Sequence, residues 1–471
     1  MMTLTLADTP TEKELRGASA CHLLHWLAAG RIDSAHLTAA YQGAIARDNA
    51  RLNAYMMLDE GALAAARASD ARRREGRVVG RLDGLPVAIK DNLDVAGLPT
   101  GFGLPGRYGH VARVDARAVA RLRAAGAIVL GKTTLDEAAL GTMTASPHLG
   151  PAHNPFRAGF TAGGSSGGSA VAVAAGLCAF ALGSDTLGSV RIPASHCGIY
   201  ALKPTVGEIS TVGLARGARR LDCVGILTRS IEDLTIALQV LDVPDPADPR
   251  SRHRRVPLAL PDWEPGRLKS GLLIDAGALE IEPAVREAFA NAVASLGNEL
   301  GESHTVNFAD YDFARMRRAG LLIMESEVAV DLADAMDDDK FSPSPRLRRM
   351  LEYARNKSTL DYVRADRLID AARLQARRLF AGIDVLVCPT VPHGPYPLSE
   401  PERANDADLT SFASLAGCPA ISLPMGTLPD GFPIGLQLVG APGSDLRLLE
   451  LAGACAATLD AAVEYPIGMT C

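Results

Sequence analysis

Apolar residues along this chain follow two rhythms. In the first part they recur every three or four positions: Leu37, Ala40, Tyr41, Ala44 and Ile45 form such a stripe behind Asp33 and Ser34, which can cap a helix. A second helix is expected from about residue 59 into the Ala- and Arg-rich run ending at Arg74, so residues 11–76 read as helical throughout. Beyond them the apolar residues gather into short unbroken runs. Residues 85–90, 127–130, 179–183 and 198–202 are strand candidates. Between them, residues 115–126 predict a helix with an Asp cap and a Gly stop, and residues 230–241 a helix capped by Ser230. From about residue 244 to 381 the pattern is charged and helical. Strand-like runs return at 383–388, 420–424 and 434–439, before a last helix near 445–459.

Strands alternating with helices predict an α/β fold, with a central mixed, twisted sheet flanked by helices. Because strand-rich segments lie on both sides of the helical stretch, that stretch reads as an insertion capping the sheet, not as a separate domain. The expected organisation is one large domain over 1–471, with N-terminal helices at about 11–76, a sheet core from about 77–243 and 382–471, and a mainly helical insertion at about 244–381.

Composition adds limits. With 48% hydrophobic and 22% charged residues the chain can bury a large core, and its formal charge of −6 is mild for 471 residues. The one basic run, Arg72–Arg74, reads as a solvated helix end, so neither nucleic acid nor a membrane surface is an expected partner. The eight cysteines stand singly, at 21, 178, 197, 223, 388, 418, 455 and 471, with no zinc-ligand spacing and mostly in apolar runs. Buried free thiols, a reducing compartment and a cytoplasmic location are the expectation. Residues 1–10 lack the pattern of a secretory signal, and the apolar run 169–183 is too short and too rich in Ala and Gly to span a membrane.

Three places can carry chemistry. The first is Gly163-Gly164-Ser165-Ser166-Gly167-Gly168-Ser169, which runs straight into a helix-forming stretch. Four glycines together need a physical reason. A linker would not lead directly into an apolar helix, and a phosphate cradle would want the Lys of GxxxxGK[ST], which is missing. A catalytic turn matches GxSxG in two frames, centred on Ser165 or Ser166, but the preceding residues 154–159 are loop-like, unlike the strand before a nucleophile elbow. The second place is the small-residue turn Ser184-Asp185-Thr186-Leu187-Gly188-Ser189, directly after a strand, where consecutive backbone N–H groups can converge as an oxyanion hole requires. The third is Lys90, at the end of its own strand. A serine nucleophile needs a base within hydrogen-bond reach. Nine of the ten histidines lie outside motif-like settings, and His196 reads as a packed residue in the turn after Ser189. No HExxH or comparable spacing suggests a metal, and no cofactor is expected.

Together these residues resemble the amidase signature family: Val-Ala-Ile-Lys90-Asp-Asn, the Gly/Ser run 163–169, and Asp185-Thr-Leu-Gly-Ser189-Val-Arg191-Ile-Pro193. The 24-residue separation of Ser165 and Ser189 is the one that family keeps between its catalytic serines. Similarity continues through 197–205, 220–225, 384–390, 415–422 and 435–440, and is weak only in the helical insertion. The resemblance implies a Ser-Ser-Lys triad. Ser189 would attack a carbonyl carbon, Ser165 (after a cis peptide bond) would relay protons, and a neutral, buried Lys90 would be the ultimate base. The N–H groups of Thr186, Leu187, Gly188 and Ser189 would form the oxyanion hole, braced by Asp185 and Arg191.

Two departures bear on substrate preference: Leu187 stands where the family usually has glycine, and Phe102-Gly103 where relatives often have a small Gly-Ser pair. The expected activity is hydrolysis of C–N bonds in amides or in related carbamates, ureas or hydrazides. The expected partner is a small-molecule amide or carbamate, and a homodimer is compatible with the sequence. Two alternatives stand beside this reading: the glutaminase component of a tRNA-dependent amidotransferase, and a non-catalytic binding protein on the same fold.

Overall fold

The computed structural model describes residues 10–252, 266–274, 279–306, 308, 311–333, 343–459 and 463–467. Residues 1–9, the stretch tested for a secretory signal, and Cys471 lie outside them. Thirteen strands follow in chain order: β1 (Tyr55–Leu58), β2 (Pro86–Lys90), β3 (Ile128–Thr133), β4 (Ala145–Ser146), β5 (Gly150–Pro151), β6 (Phe180–Asp185), β7 (Tyr200–Lys203), β8 (Cys223–Thr228), β9 (Lys269–Leu272), β10 (Glu302–Thr305), β11 (Val385–Pro389), β12 (Ala420–Thr427) and β13 (Pro433–Gly440). Eleven of them form one sheet in the order β1-β3-β2-β6-β8-β7-β12-β13-β11-β9-β10, and β4 and β5 form a small hairpin. The sheet is mixed. β3, β2 and β6 run parallel, as do β11, β9 and β10, while the strands between them pair antiparallel.

The unbroken apolar runs become the central strands because both sheet faces are covered by helices. Val87, Ala88 and Ile89 of β2 and Ala181 and Leu182 of β6 are wholly buried. Ile89 pairs with Leu182, so β2 and β6 bring their C-terminal ends, Lys90 and Ser184-Asp185, to the same edge of the sheet. In open α/β sheets, sites form outside such carboxyl ends.

Four details differ from the pattern-based reading. The first block is not helical throughout: the helix Ser34–Leu52 stops at Asn53, whose left-handed conformation (φ 50°) turns the chain into β1, antiparallel to β3. Asp115 does not cap the next helix, which begins at Arg117 behind Ala116; its carboxylate instead accepts the Ala96 N–H at 2.7 Å. Residues 223–228, of which only the first three fall in the motif noted at 220–225, form a fully buried strand. The region 244–381 is not only helical, since it contributes β9 and β10 to the far edge of the sheet.

The seven described cysteines are free thiols, six of them buried. Among the described residues no helix is long and apolar enough to cross a membrane.

Candidate active site

The Gly/Ser run is packed solid: every residue from Gly163 to Ser169 is buried. Its glycines answer to close approach. A Cβ on Gly168 would lie 2.5 Å from the backbone of Thr134, so only glycine lets this turn cross against the end of β3. Ser165 follows a cis peptide bond from Gly164, and Ser166 precedes the helix Gly167–Ala174. Unlike an ordinary capping serine, Ser166 makes no side-chain cap bond. Its hydroxyl turns inward.

It turns toward Lys90. The Nζ of this fully buried lysine donates to Ser165 Oγ at 2.8 Å, Ser166 Oγ at 2.8 Å and Ser184 Oγ at 2.9 Å. Among the described residues no carboxylate stands within ion-pair distance of it. Burial penalises the ammonium and pushes the Lys90 pKa down to about 7, against the more distant pull of Asp136, Asp185 and Asp222. A lysine poised near neutrality and hydrogen-bonded to serine hydroxyls is equipped to take a proton from one of them.

Ser189 lies in the next turn, half-buried and at the base of a cavity of about 200 Å³. Its carbonyl accepts the Ser166 N–H at 3.1 Å, which locks the two turns together, while its Oγ makes no hydrogen bond among the described residues. Asp185 and Arg191 flank the turn, both fully buried. Arg191 Nε and Nη2 grip the two Asp185 oxygens at 3.0 and 2.9 Å, and Arg191 also donates to Thr410 O, Gln437 Oε1 and Ser414 Oγ. Burial alone would raise the Asp185 pKa, but the guanidinium outweighs it and holds the carboxyl below its ordinary range.

The backbone donors are divided differently from expectation. Gly188 N–H is not free for an oxyanion: it donates to Asp185 Oδ1 at 2.8 Å, because the carboxylate that braces the turn needs donors of its own. Gly188 serves the turn by its conformation (φ 139°), in a spot where a Cβ would lie 2.2 Å from Thr410 Oγ1. The N–H groups of Thr186, Leu187 and Ser189 meet no acceptor among the described residues, so they remain for a ligand. Leu187 is accommodated without a positive φ.

The cavity is walled by Leu140, Leu187, Ile192, Leu321, Met324 and Met350, with charged residues at its margin. Those charges have partners: Arg317 pairs with Asp408 at 2.6 Å, Arg346 with Glu402 and Arg403 with Glu282 at 2.9 Å, and Asp406 accepts the Tyr396 hydroxyl at 2.9 Å. Two walls come from the segment read as an insertion. The helix Phe313–Asp331 supplies Leu321 and Met324, and the helix Pro345–Arg355 supplies Met350, its cap Ser344 donating its backbone N–H to Glu137 Oε1 at 2.8 Å. Phe102 is buried outside this lining, with φ 56° and its N–H on Asp91 O.

His196 is the packed residue the sequence indicates. It is fully buried, burial pushes its pKa down to about 3, and its ring faces His393 at 6.1 Å between centroids, not Ser189. Three contributors escaped the sequence reading: Ser166 as a partner of Lys90, Ser184, and Asn92, whose Nδ2 donates to Ser184 Oγ at 2.9 Å. The doubled serine of the Gly/Ser run signals the first; nothing in sequence spacing signals the other two.

Comparison with known proteins gives a consistent picture. The profile of the family described as Amidase matches residues 36–449. The A component of the glutamyl-tRNA(Gln) amidotransferase from Picosynechococcus sp. is 36% identical over 440 residues, covering 85% of this chain and 90% of that protein. A solved structure described as an unexpected vestigial protein complex, revealing the evolutionary origins of an s-triazine catabolic enzyme, superposes with a TM-score of 0.87 at 32% identity, covering 95% of this chain and 99% of the other. The native peptide amidase of Stenotrophomonas maltophilia gives a TM-score of 0.83 at 29% identity over 96% of this chain and 99% of its own.

Proposed function

Because this chain belongs to the amidase signature family, whose enzymes act on C–N bonds, we propose that it hydrolyses carboxamides through an acyl-enzyme on Ser189, with Ser165 as proton relay and Lys90 as ultimate base. The observation that carries this reading is the environment of Lys90: wholly buried and, among the described residues, without a counter-ion and hydrogen-bonded only to serine hydroxyls.

The substrate carbonyl enters the cavity above Ser189, with its oxygen toward the open N–H groups of Thr186, Leu187 and Ser189. As Ser189 Oγ attacks, its proton passes to Ser165 Oγ while the Ser165 proton passes to Lys90, and the oxyanion gathers on those N–H groups. The remaining link, Ser165 to Ser189, is not made among the described residues and would form when substrate settles, since catalytic hydrogen bonds commonly tighten only in the complex. Return of the proton to the nitrogen lets the amine or ammonia leave, and water repeats the sequence on the acyl-enzyme.

Two substrate readings have separate support. The amidotransferase relatives favour the glutaminase component of a tRNA-dependent amidotransferase over carbamates or ureas, and such a chain would work with partner proteins. The internally paired charges and the Leu187 wall favour instead a free-standing amidase taking a neutral acyl group. A fluorophosphonate probe should label the purified chain on Ser189 alone, and Ser189→Ala should abolish labelling. Hydrolysis of a neutral aryl amide by the isolated chain supports the free amidase. Glutaminase activity that appears only with a co-purified partner supports the other. Labelling elsewhere, or none, removes both.

A further inference from the structure

A lysine ammonium has three N–H donors, whereas a neutral amine has two and a lone pair. Lys90 faces three hydroxyl oxygens. Two belong to the Gly/Ser turn, but the third, Ser184, comes from β6 on the neighbouring parallel strand. Ser184 is gripped from its other side by Asn92 Nδ2 at 2.9 Å, and the Asn92 backbone carbonyl is itself fixed by Ala215 N–H at 2.8 Å. Ser166 is bound to the same strand, its Oγ donating to the Ser184 carbonyl at 3.2 Å. That bond uses the Ser166 proton, so Ser166 can only accept from Lys90.

We propose that Ser184, clamped by Asn92, is a positioning residue that aims the Lys90 lone pair at Ser165 and sets how tightly Lys90 holds its proton. The inference rests on Lys90 being the base. In the neutral amine one N–H goes to Ser166 and one to Ser184, which leaves the lone pair facing Ser165, the side from which the proton arrives. In the ammonium, Ser184 accepts a charge-assisted bond, which is roughly twice as strong as a neutral one. Ser184 therefore favours the protonated form and partly offsets the desolvation that opposes it.

The other charges facing Lys90 come from three directions and do not depend on Ser184: Asp136 from the segment after β3, Asp185 from the end of β6 and already paired with Arg191, and Asp222 from the approach to β8. Without Ser184, Lys90 should hold its proton less tightly, and its freed N–H could turn on Ser165, where the lone pair is needed.

The test is the rate of inactivation by a fluorophosphonate probe, which needs no known substrate, followed over about pH 5–10 on the intact chain. Ser184→Ala should move the acid limb down by about half to one pH unit and lower the plateau about tenfold. Asn92→Ala should move both in the same direction by less, and Ser184→Thr, which keeps the hydroxyl, should restore the parent limb. A lower plateau with an unmoved limb in Ser184→Ala and Asn92→Ala would mean a merely structural role and overturn the proposal, as would a limb moved upward. Lys90→Met reacting as fast as the parent would overturn the base assignment instead, whatever Ser184 does.

Discussion

Two lysines stand at or next to the ends of neighbouring strands of the same sheet and have opposite surroundings. Lys90 on β2 and Lys132 on β3 are both wholly buried, and because Ile89 pairs with Lys132 across the two strands, their side chains leave opposite faces. Lys132 has a carboxylate, Asp91 Oδ1 at 3.0 Å, and also donates to Pro99 O and Thr100 Oγ1. Among the described residues Lys90 has only hydroxyls as partners. Burial disfavours the charged form of both, but the attraction of Asp91 opposes it at Lys132 within contact distance. Burial is the leading influence at both and lowers the pKa of each; what separates them is the carboxylate that faces Lys132. The pair on the far face holds the segment 99–101 in place, since Asp91 also accepts the Gly101 N–H at 3.1 Å. One lysine is set among hydroxyls, as the proposed base requires, and its neighbour braces the segment 99–101.

Exchanging each lysine in turn should separate these roles. Lys90→Ala should lower kcat/KM by roughly 10³-fold or more, and Ser165→Ala comparably, because members of a proton relay fail as a unit. The fold should survive, since the deletion removes an amine that burial already disfavours in charged form. Lys132→Met should do the reverse. It leaves Asp91 buried without its cation, and breaking a buried pair from one side typically costs about 3–5 kcal/mol, measured as a lowered urea midpoint. Near-parent activity in Lys90→Ala would erase the distinction.

The pH dependence sharpens the same contrast. With burial pushing its pKa down to about 7, Lys90 as the proposed base would be protonated and unable to accept a proton below that value and neutral above it. kcat/KM should climb through about pH 7 and level off, far below the limb of an ordinary lysine near 10.4. Stability should follow the same lysine. Between about pH 7 and the ordinary value the unfolded chain binds this proton and the folded chain does not, so stability should rise with pH across that window. Lys90→Met should flatten that rise in urea titrations taken at successive pH values, and a rise of the same steepness would place the proton elsewhere.

Much of this architecture is legible in the sequence because local pattern and final environment agree. The apolar runs at 85–90 and 179–183 can be satisfied only where both sheet faces are covered, and the glycines at 163–168 only where backbones meet. Lys90, Ser165 and Ser189 stand out in the sequence as candidates, from their motifs and spacing. What escaped is relational. Tyr55–Leu58 continues an apolar stretch behind a helix, and only its pairing with β3 makes it a strand. Ser184 and Asn92 gain meaning from β2 lying beside β6, which joins residues 92 positions apart. Gly188 looks like an oxyanion donor until Asp185 is seen to claim its N–H.

The smallest expected effect asks whether pocket shape is independent of the Lys90 chemistry. Leu187 borders the cavity, and its side chain also nests on Gly320 of the helix Phe313–Asp331, where an added Cβ would lie 2.8 Å from Leu187 Cδ2. A leucine in the nucleophile turn is thus matched by a glycine in the opposite wall. Leu187→Gly should open the cavity and shift the kcat/KM ratio toward bulkier acyl groups, while lost burial and added backbone freedom cost about 1–3 kcal/mol. Gly320→Ala should push Leu187 toward the cavity and shift the ratio toward smaller acyl groups. Neither change touches Lys90 or its hydroxyls, so the acid limb near pH 7 should stay where it is in both proteins. A ratio unmoved in both, with only the melting temperature lowered, would make Leu187 scaffold. A limb that moved with the ratio would show that the wall and the base are not separate after all.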